Sequence, residues 1–308
     1  MNVVWVAGDV RATGMLVRRL DTAAVHEIAA SGSLPAAQRR LAESSYGHRI
    51  RVGATLIETE RAIGAETVWR LRVLAGWQPR AGVTVIRLLA GAFEVADIAA
   101  LAAALAGAAP RAPYELGALA TAWGRVRDCG SPRELRAALA RTVWGDPGAE
   151  DVSDIADGVA VGWAARVAST VSDAERWALG VLALLTARRR LLDGRPFPEP
   201  TARRVTRLLG SAAATSRELN ALKTALPASA RWALDGVEHA EDLWRAEFGW
   251  WRRLEQDGRE LVRERRFGAP TLVGAVALLA ADAWRVRAAL QVAAGQGPAG
   301  EDFDELAG

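Results

Sequence analysis

The chain is poor in the residues that usually announce a chemistry. It has one cysteine, Cys129, so no intramolecular disulfide can form, and no basic start followed by an apolar core marks a signal peptide. A cytosolic setting is the expectation. The three histidines, His26, His48 and His239, stand far apart, without HExxH, CxxC or a closely spaced carboxylate and histidine set. No metal site is expected. The phosphate loop GxxxxGK[ST], the dinucleotide fingerprint GxGxxG and the hydrolase elbow GxSxG are also missing, so neither a catalytic residue nor a cofactor is expected. Cys129 lies in Arg-Asp-Cys-Gly-Ser with no evident catalytic partner.

Lysine is nearly absent, Lys223 being the only one, and this changes how the isoelectric point reads. The value of 9.7 rests on 39 basic against 36 acidic residues, a net charge of +3. It reflects the high pKa of guanidinium rather than a basic excess, so nucleic acid is not the expected partner. Long apolar runs are lacking too. Ile98 to Pro110, Trp177 to Ala187 and Ala269 to Ala281 fall short of the roughly 20 residues that cross a bilayer, and no direct membrane span is expected.

What the sequence does have is alanine, leucine and arginine, with 51% hydrophobic and 24% charged residues over 308 positions. That balance is globular, and the scarcity of isoleucine, phenylalanine and tyrosine favours helix over strand. An all-α protein is expected. Within it, GSLPAAQRRLAESSYG (Gly32 to Gly47) aligns without a gap to GSPRELRAALARTVWG (Gly130 to Gly145). The two share a Gly-Ser start, Leu41-Ala42 with Leu139-Ala140, a hydroxyl (Ser44, Thr142), an aromatic (Tyr46, Trp144) and the closing glycine. Each reads as a serine-capped helix with proline in its first turn and a glycine to end it, and Ser131-Pro132-Arg133-Glu134 as a full capping box. A second element, a helix headed by acid, is read three times. The first starts at Glu94-Val95-Ala96-Asp97 and ends at Gly107 and Pro110. The second starts with the capping box Ser172-Asp173-Ala174-Glu175, runs into Arg188-Arg189-Arg190 and stops at Asp193-Gly194. The third carries Leu272, Val276, Leu279, Ala283, Val286 and Leu290 with Asp282 and Arg287 inside it, and ends at Gly295 to Pro298.

Glycine and proline gather at Gly76 to Gly82, Gly107 to Pro113, Asp146 to Gly148 and Arg195 to Pro200, which mark linkers. From Trp232 to Leu261 the residues Trp232, Trp244, Phe248, Trp251 and Leu254 form one helical stripe suited to a helix contact. The arginine clusters at Arg188 to Arg190 and Arg259 to Arg266 have the residue type that touches phosphates, but the second alternates with glutamate as a solvated helix face does.

In this order, from Gly8-Asp9-Val10-Arg11-Ala12 and Leu20-Asp21 through the Ser33 helix, Phe93 to Ile98, and the second pair from Ser131 and Ser172, the chain resembles the C-type subunit of the V/A-type (vacuolar/archaeal-type) rotary ATPases. That family is similar to the d-type subunit of the eukaryotic V-ATPase. The segment Ala281-Asp282-Ala283-Trp284-Arg285-Val286-Arg287, followed by Gly295 to Phe303 and Leu306, resembles the family's last helix and short tail. The family's asparagine three residues after the acid is replaced by Ala100 and Arg176, and the first copy lacks its downstream arginine.

The resemblance implies a funnel of three helical bundles related by a pseudo-threefold axis, as a single domain over 1–308 with units near 1–107, 108–195 and 196–308. It implies a non-catalytic rotor part, a socket between central-stalk subunits (D/F-like) and the membrane proteolipid ring, which transmits torque for proton or sodium transport. It would lie on the cytoplasmic face of the membrane, held by protein partners and not itself inserted. The family-motif positions are Asp97, Asp173, Arg188, Asp282 and Arg287, as structural or interaction residues. The residues leave two other readings open, an arginine-rich helical scaffold and a nucleic-acid-binding protein, both unrelated to the ATPase.

Overall fold

A computed structural model describes residues 3–264 and 268–296. Among them every regular element is helical. In chain order the α-helices are α1 (Val6–Leu16), α2 (Thr22–Ala29), α3 (Leu34–Ala42), α4 (Leu56–Ala75), α5 (Arg80–Leu105), α6 (Trp123–Val126), α7 (Pro132–Ala140), α8 (Val152–Thr170), α9 (Glu175–Ala187), α10 (Glu199–Leu209), α11 (Ser211–Thr215), α12 (Leu219–Ala225), α13 (Ala228–Arg231), α14 (Leu243–Arg263) and α15 (Ala269–Ala293). The expected all-α class is what is found.

The chain forms two compact units. Among the described residues the first comprises 3–86, 114–117, 254–264 and 268–296, and the second 87–113 and 118–253. Both are discontinuous in sequence. In the first unit α15 is the central helix and lies against α1, α2, α3 and α4. Leu272, Val273, Ala275, Val286, Ala289 and Leu290 of α15 are fully buried. Each large aliphatic side chain so removed from water contributes roughly 1.5–3 kcal/mol. Helix α4 begins at a capping box, Thr55 Oγ1 accepting from Glu58 N while Glu58 Oε2 accepts from Thr55 N.

In the second unit α8 and α9 pair, with α10 and α13 against them. Ile98 and Ala102 of α5 share a core with Val126, Leu135, Leu139, Trp144, Ile155 and Val159. Gly91 sits mid-helix because any β-carbon there would lie 2.9 Å from Trp163 Cδ1 and 3.2 Å from Trp144 Cη2.

The apolar runs and the tryptophan stripe take different forms in the fold. Helices α5 and α15, of 26 and 25 residues, hold 18-residue windows with mean hydropathies of 1.9 and 1.3 and are long and apolar enough to cross a bilayer. Asp97 and Asp282, where two of the apolar runs of the sequence begin or stop, lie inside α5 and α15. The apolar window of α15 is 78% buried inside the protein, as in a core helix, and that of α5 is 39% buried. The tryptophan stripe is corrected. Trp232 opens a separate 3-10 turn, Trp232–Leu234, and the helix starts only at Leu243.

Candidate functional site

The repeated segments form matching devices. In each, the shared hydroxyl ends the helix: Ser44 Oγ donates to Leu41 O at 2.7 Å and accepts from Tyr46 N, while Thr142 Oγ1 donates to Leu139 O at 2.8 Å and accepts from Trp144 N. This turn drives the following aromatic inward, Tyr46 to 0% and Trp144 to 1% exposure. Ser131 Oγ accepts from Glu134 N, yet the Glu134 carboxylate takes Gly130 N instead of closing the box on Ser131. Ser33 occupies the cap position without a side-chain bond.

Each buried aromatic then donates to a carboxylate carried in the middle of a long helix. Tyr46 Oη donates to Asp282 Oδ2 of α15 at 2.8 Å, and the other oxygen, Oδ1, accepts from Leu20 N at 3.1 Å, just ahead of α2. Trp144 Nε1 donates to Glu94 Oε2 of α5 at 3.1 Å, and Oε1 accepts from Thr121 N, Ala122 N and Trp123 N at 2.7–2.8 Å, at the start of α6. One carboxylate therefore ties the end of each repeat to a backbone segment that lies ahead of the repeat. Hydrogen bonds to a charged group are worth about 1.5–3 kcal/mol apiece, so these two side chains dominate the local energetics.

The first clasp is also the centre of a charge network. Arg70 Nη1 and Arg285 Nη2 lie 3.8 and 3.7 Å from the Asp282 oxygens. Arg285 reaches Glu255, which also takes Arg19 at 3.4 Å and Arg259 at 2.8 Å. Arg70 stacks over the Tyr46 ring at 4.4 Å, donates to Ser45 O and pairs with Glu66, whose second oxygen faces Arg49. Burial raises the pKa of Asp282 against the opposing pull of Tyr46 and the arginines. The Tyr46 hydroxyl is pushed well above its ordinary value, by burial first and then by the Asp282 charge, so it stays a donor.

A third buried cluster sits where α9 ends. A π turn over Arg188–Leu192 swings Arg189 inward, to 2% exposure. Arg189 holds Asp154, Asp157 (2.7 Å) and Pro196 O (2.9 Å) together. Burial works against its charge, but the hydrogen bonds it donates to Asp157 and Asp154 outweigh it and raise the Arg189 pKa. Lysine has one point charge where three acceptors need a fork, so Arg189→Lys is expected to lose about 1–3 kcal/mol, seen as a lower denaturant midpoint. An unchanged midpoint would show that water or Arg195 already serves these carboxylates.

The anticipated positions are distributed unevenly. Asp282 is central, but its arginine is Arg285, one helical turn away, and Arg287 is exposed, five residues on and about 140° around the helix. Asp97 is buried on α5 one turn after Glu94, and neither heads a helix, since α5 begins at Arg80. Asp173 falls in the 3-10 turn Ser172–Ala174, half-exposed, and the expected capping box there is not formed. Arg188 is exposed, and it is Arg189 and Arg190 that turn inward, Arg190 donating to Thr215 O and Ser216 O. At Cys129 burial, then Glu134 and Asp128, raise the thiol pKa, the reverse of an activated nucleophile. Among the described residues no group of three or more His, Cys, Asp or Glu is placed to hold a metal.

Beside the Asp282 network a groove of about 450 Å³ opens between α1 and α4, with Arg11 and Arg18 along one wall and Trp69 and Trp77 along the other. Comparison of the sequence with protein-family models and with curated proteins gives no match.

Proposed function

We propose that this chain is a non-catalytic central-rotor subunit of a V/A-type ATPase, the socket between the central stalk and the proteolipid ring. The observation that carries the reading is the order of the clasps along the chain. In the second repeat the carboxylate, Glu94, comes from the long helix that precedes the repeat. Among the described residues only the shorter α1 and α2 precede the first repeat, which takes Asp282 from α15, the last helix among the described residues. Such cyclic use of successive helices is what a closed ring of similar bundles requires, and it supports the funnel with pseudo-threefold repetition. The third member is the most eroded, with Arg189 between Asp154 and Asp157 in place of an aromatic clasp.

A torque-transmitting part needs stiffness, and buried carboxylates that each tie three segments supply it. The role calls for no reactive group in this chain. In this reading the protein sits on the cytoplasmic side of the membrane through its partners. Gentle-detergent pull-down of the natively expressed protein, followed by mass spectrometry, is expected to recover stalk and ring subunits of a rotary ATPase. Clean absence of all of them would sink the proposal, and retention on DNA or RNA with a steep salt dependence would favour the nucleic-acid reading instead.

A further inference from the structure

The groove beside the Asp282 network has a chemistry that the clasp does not use. Arg11 and Arg18, two turns apart on one side, are exposed, and across from them Trp69 and Trp77 are 42% and 53% exposed. Ser45 and His48 also line it, and exposed Val10 stands at its edge. Its one acidic lining residue is Glu66, already faced by Arg70 at 3.3 Å and Arg49 at 3.5 Å. The free charge of the groove is thus positive, and its apolar walls are aromatic. A complementary occupant is acidic, extended and carries an aromatic or aliphatic anchor.

The chain itself contains such a segment. Residues 297–308, outside the described residues, read GPAGEDFDELAG, with four acids around Phe303, a following Leu306 and no basic residue. The reach is sufficient. Arg70, which lines the groove, is 3.8 Å from Asp282, and α15 runs 11 positions further to Ala293, about 17 Å at helical rise. The seven residues from Gln296 to Phe303 extend to about 23–25 Å, and the ten to Leu306 to about 33–36 Å. Gly295, at φ 71°, lets the chain turn as it leaves α15. We propose that the acidic segment Glu301–Leu306 docks in cis into the arginine- and tryptophan-lined groove between α1 and α4. Tethering raises its local concentration well above that of a free peptide, so docking needs few contacts. This inference goes beyond the rotor reading and stands without it.

The test uses the isolated full-length chain. With Cys129→Ser and Ala307→Cys, a bimane label on the new cysteine reports contact with tryptophan by quenching. The label is expected to be quenched, to brighten when Trp69→Phe and Trp77→Phe remove the quenchers, and to brighten equally with Arg11→Glu and Arg18→Glu. It should also brighten towards 1 M salt, where the Debye length is about 3 Å. These four residues are exposed, so unchanged helicity and denaturant midpoint will show that the variants fold. Equal brightness in the parent and both variant pairs would overturn the proposal. So would quenching that disappears on dilution, which would place the segment in a second copy.

Discussion

Replacing Asp282 by alanine is expected to lower the stability of the first unit by about 3–5 kcal/mol, the cost of leaving buried charges uncompensated. The carboxylate is wholly inside the protein, and three arginines, Arg19, Arg70 and Arg285, are arranged around it. Without it the Tyr46 hydroxyl and Leu20 N lose their acceptor in a place water does not reach. Tyr46→Phe removes a single donor and should cost about 1–3 kcal/mol. Because the two groups share one bond, the double variant is expected to be more stable than the sum of the single losses implies, and a double-mutant cycle on denaturant midpoints measures that coupling. Strict additivity would refute the clasp.

The pH dependence of this group has a definite sign. Burial raises the Asp282 pKa above the ordinary 3.8, so the folded state keeps the proton to higher pH than the unfolded chain does. The contribution of Asp282 to stability therefore falls as pH rises from about 4 through the raised folded value, and is level above it. Comparing stability against pH for the parent and Asp282→Asn isolates this slope. A parent profile that rises more steeply than that of the variant across the same range would contradict the assignment.

Glu94→Ala should be as damaging in the second unit, again about 3–5 kcal/mol, but because it leaves several buried donors without an acceptor. This carboxylate is held by dipoles, accepting from three consecutive backbone N–H groups and the Trp144 indole. Its loss would orphan the start of α6 and release the aromatic that anchors the local core. Glu94→Gln keeps the shape and can still accept through one oxygen, so it is expected to recover part of the stability. Trp144→Phe, which keeps most of the apolar body, should cost less than Glu94→Ala. If Glu94→Gln and Glu94→Ala were equally unstable, the charge itself rather than the set of hydrogen bonds would be the source of the effect. The readout is urea unfolding followed by circular dichroism, with the slope compared between variants to detect loss of a whole unit.

The repeat is legible in the sequence because its hydroxyl, aromatic and glycine spacing is a local property of one turn. The carboxylates mislead for the opposite reason. Glu94 and Asp97, ahead of an apolar run, look like the acids of a first helical turn, and only distant partners at Thr121 to Trp123 and Trp144 reveal Glu94 as an interior residue. Gly91 adds to the ambiguity, since a mid-helix glycine resembles a break until the tryptophans that crowd it are known. A better cue to the start of α5 is Pro79, directly before Arg80. Thr55 and Glu58 likewise spell out a capping box for α4, a signal as local as the repeat itself. On α15 helical angle alone separates Arg285 from Arg287, because a residue three positions after Asp282 shares its face and one five positions on does not. Arg189 has no such cue, since a π turn changes which of three adjacent arginines faces inward.

The bond between Tyr46 and Asp282 joins positions 236 residues apart. At the roughly 5–20 residues per second of translation, the first repeat emerges about 12–47 s before its carboxylate does. The second unit, by contrast, is complete in sequence once Arg253 has been made. The middle of the chain can therefore mature while the beginning waits, its tyrosine hydroxyl and arginines still in water. A ribosome that stalls or a message that ends before α15 would release a protein with one finished unit and one that has no keystone.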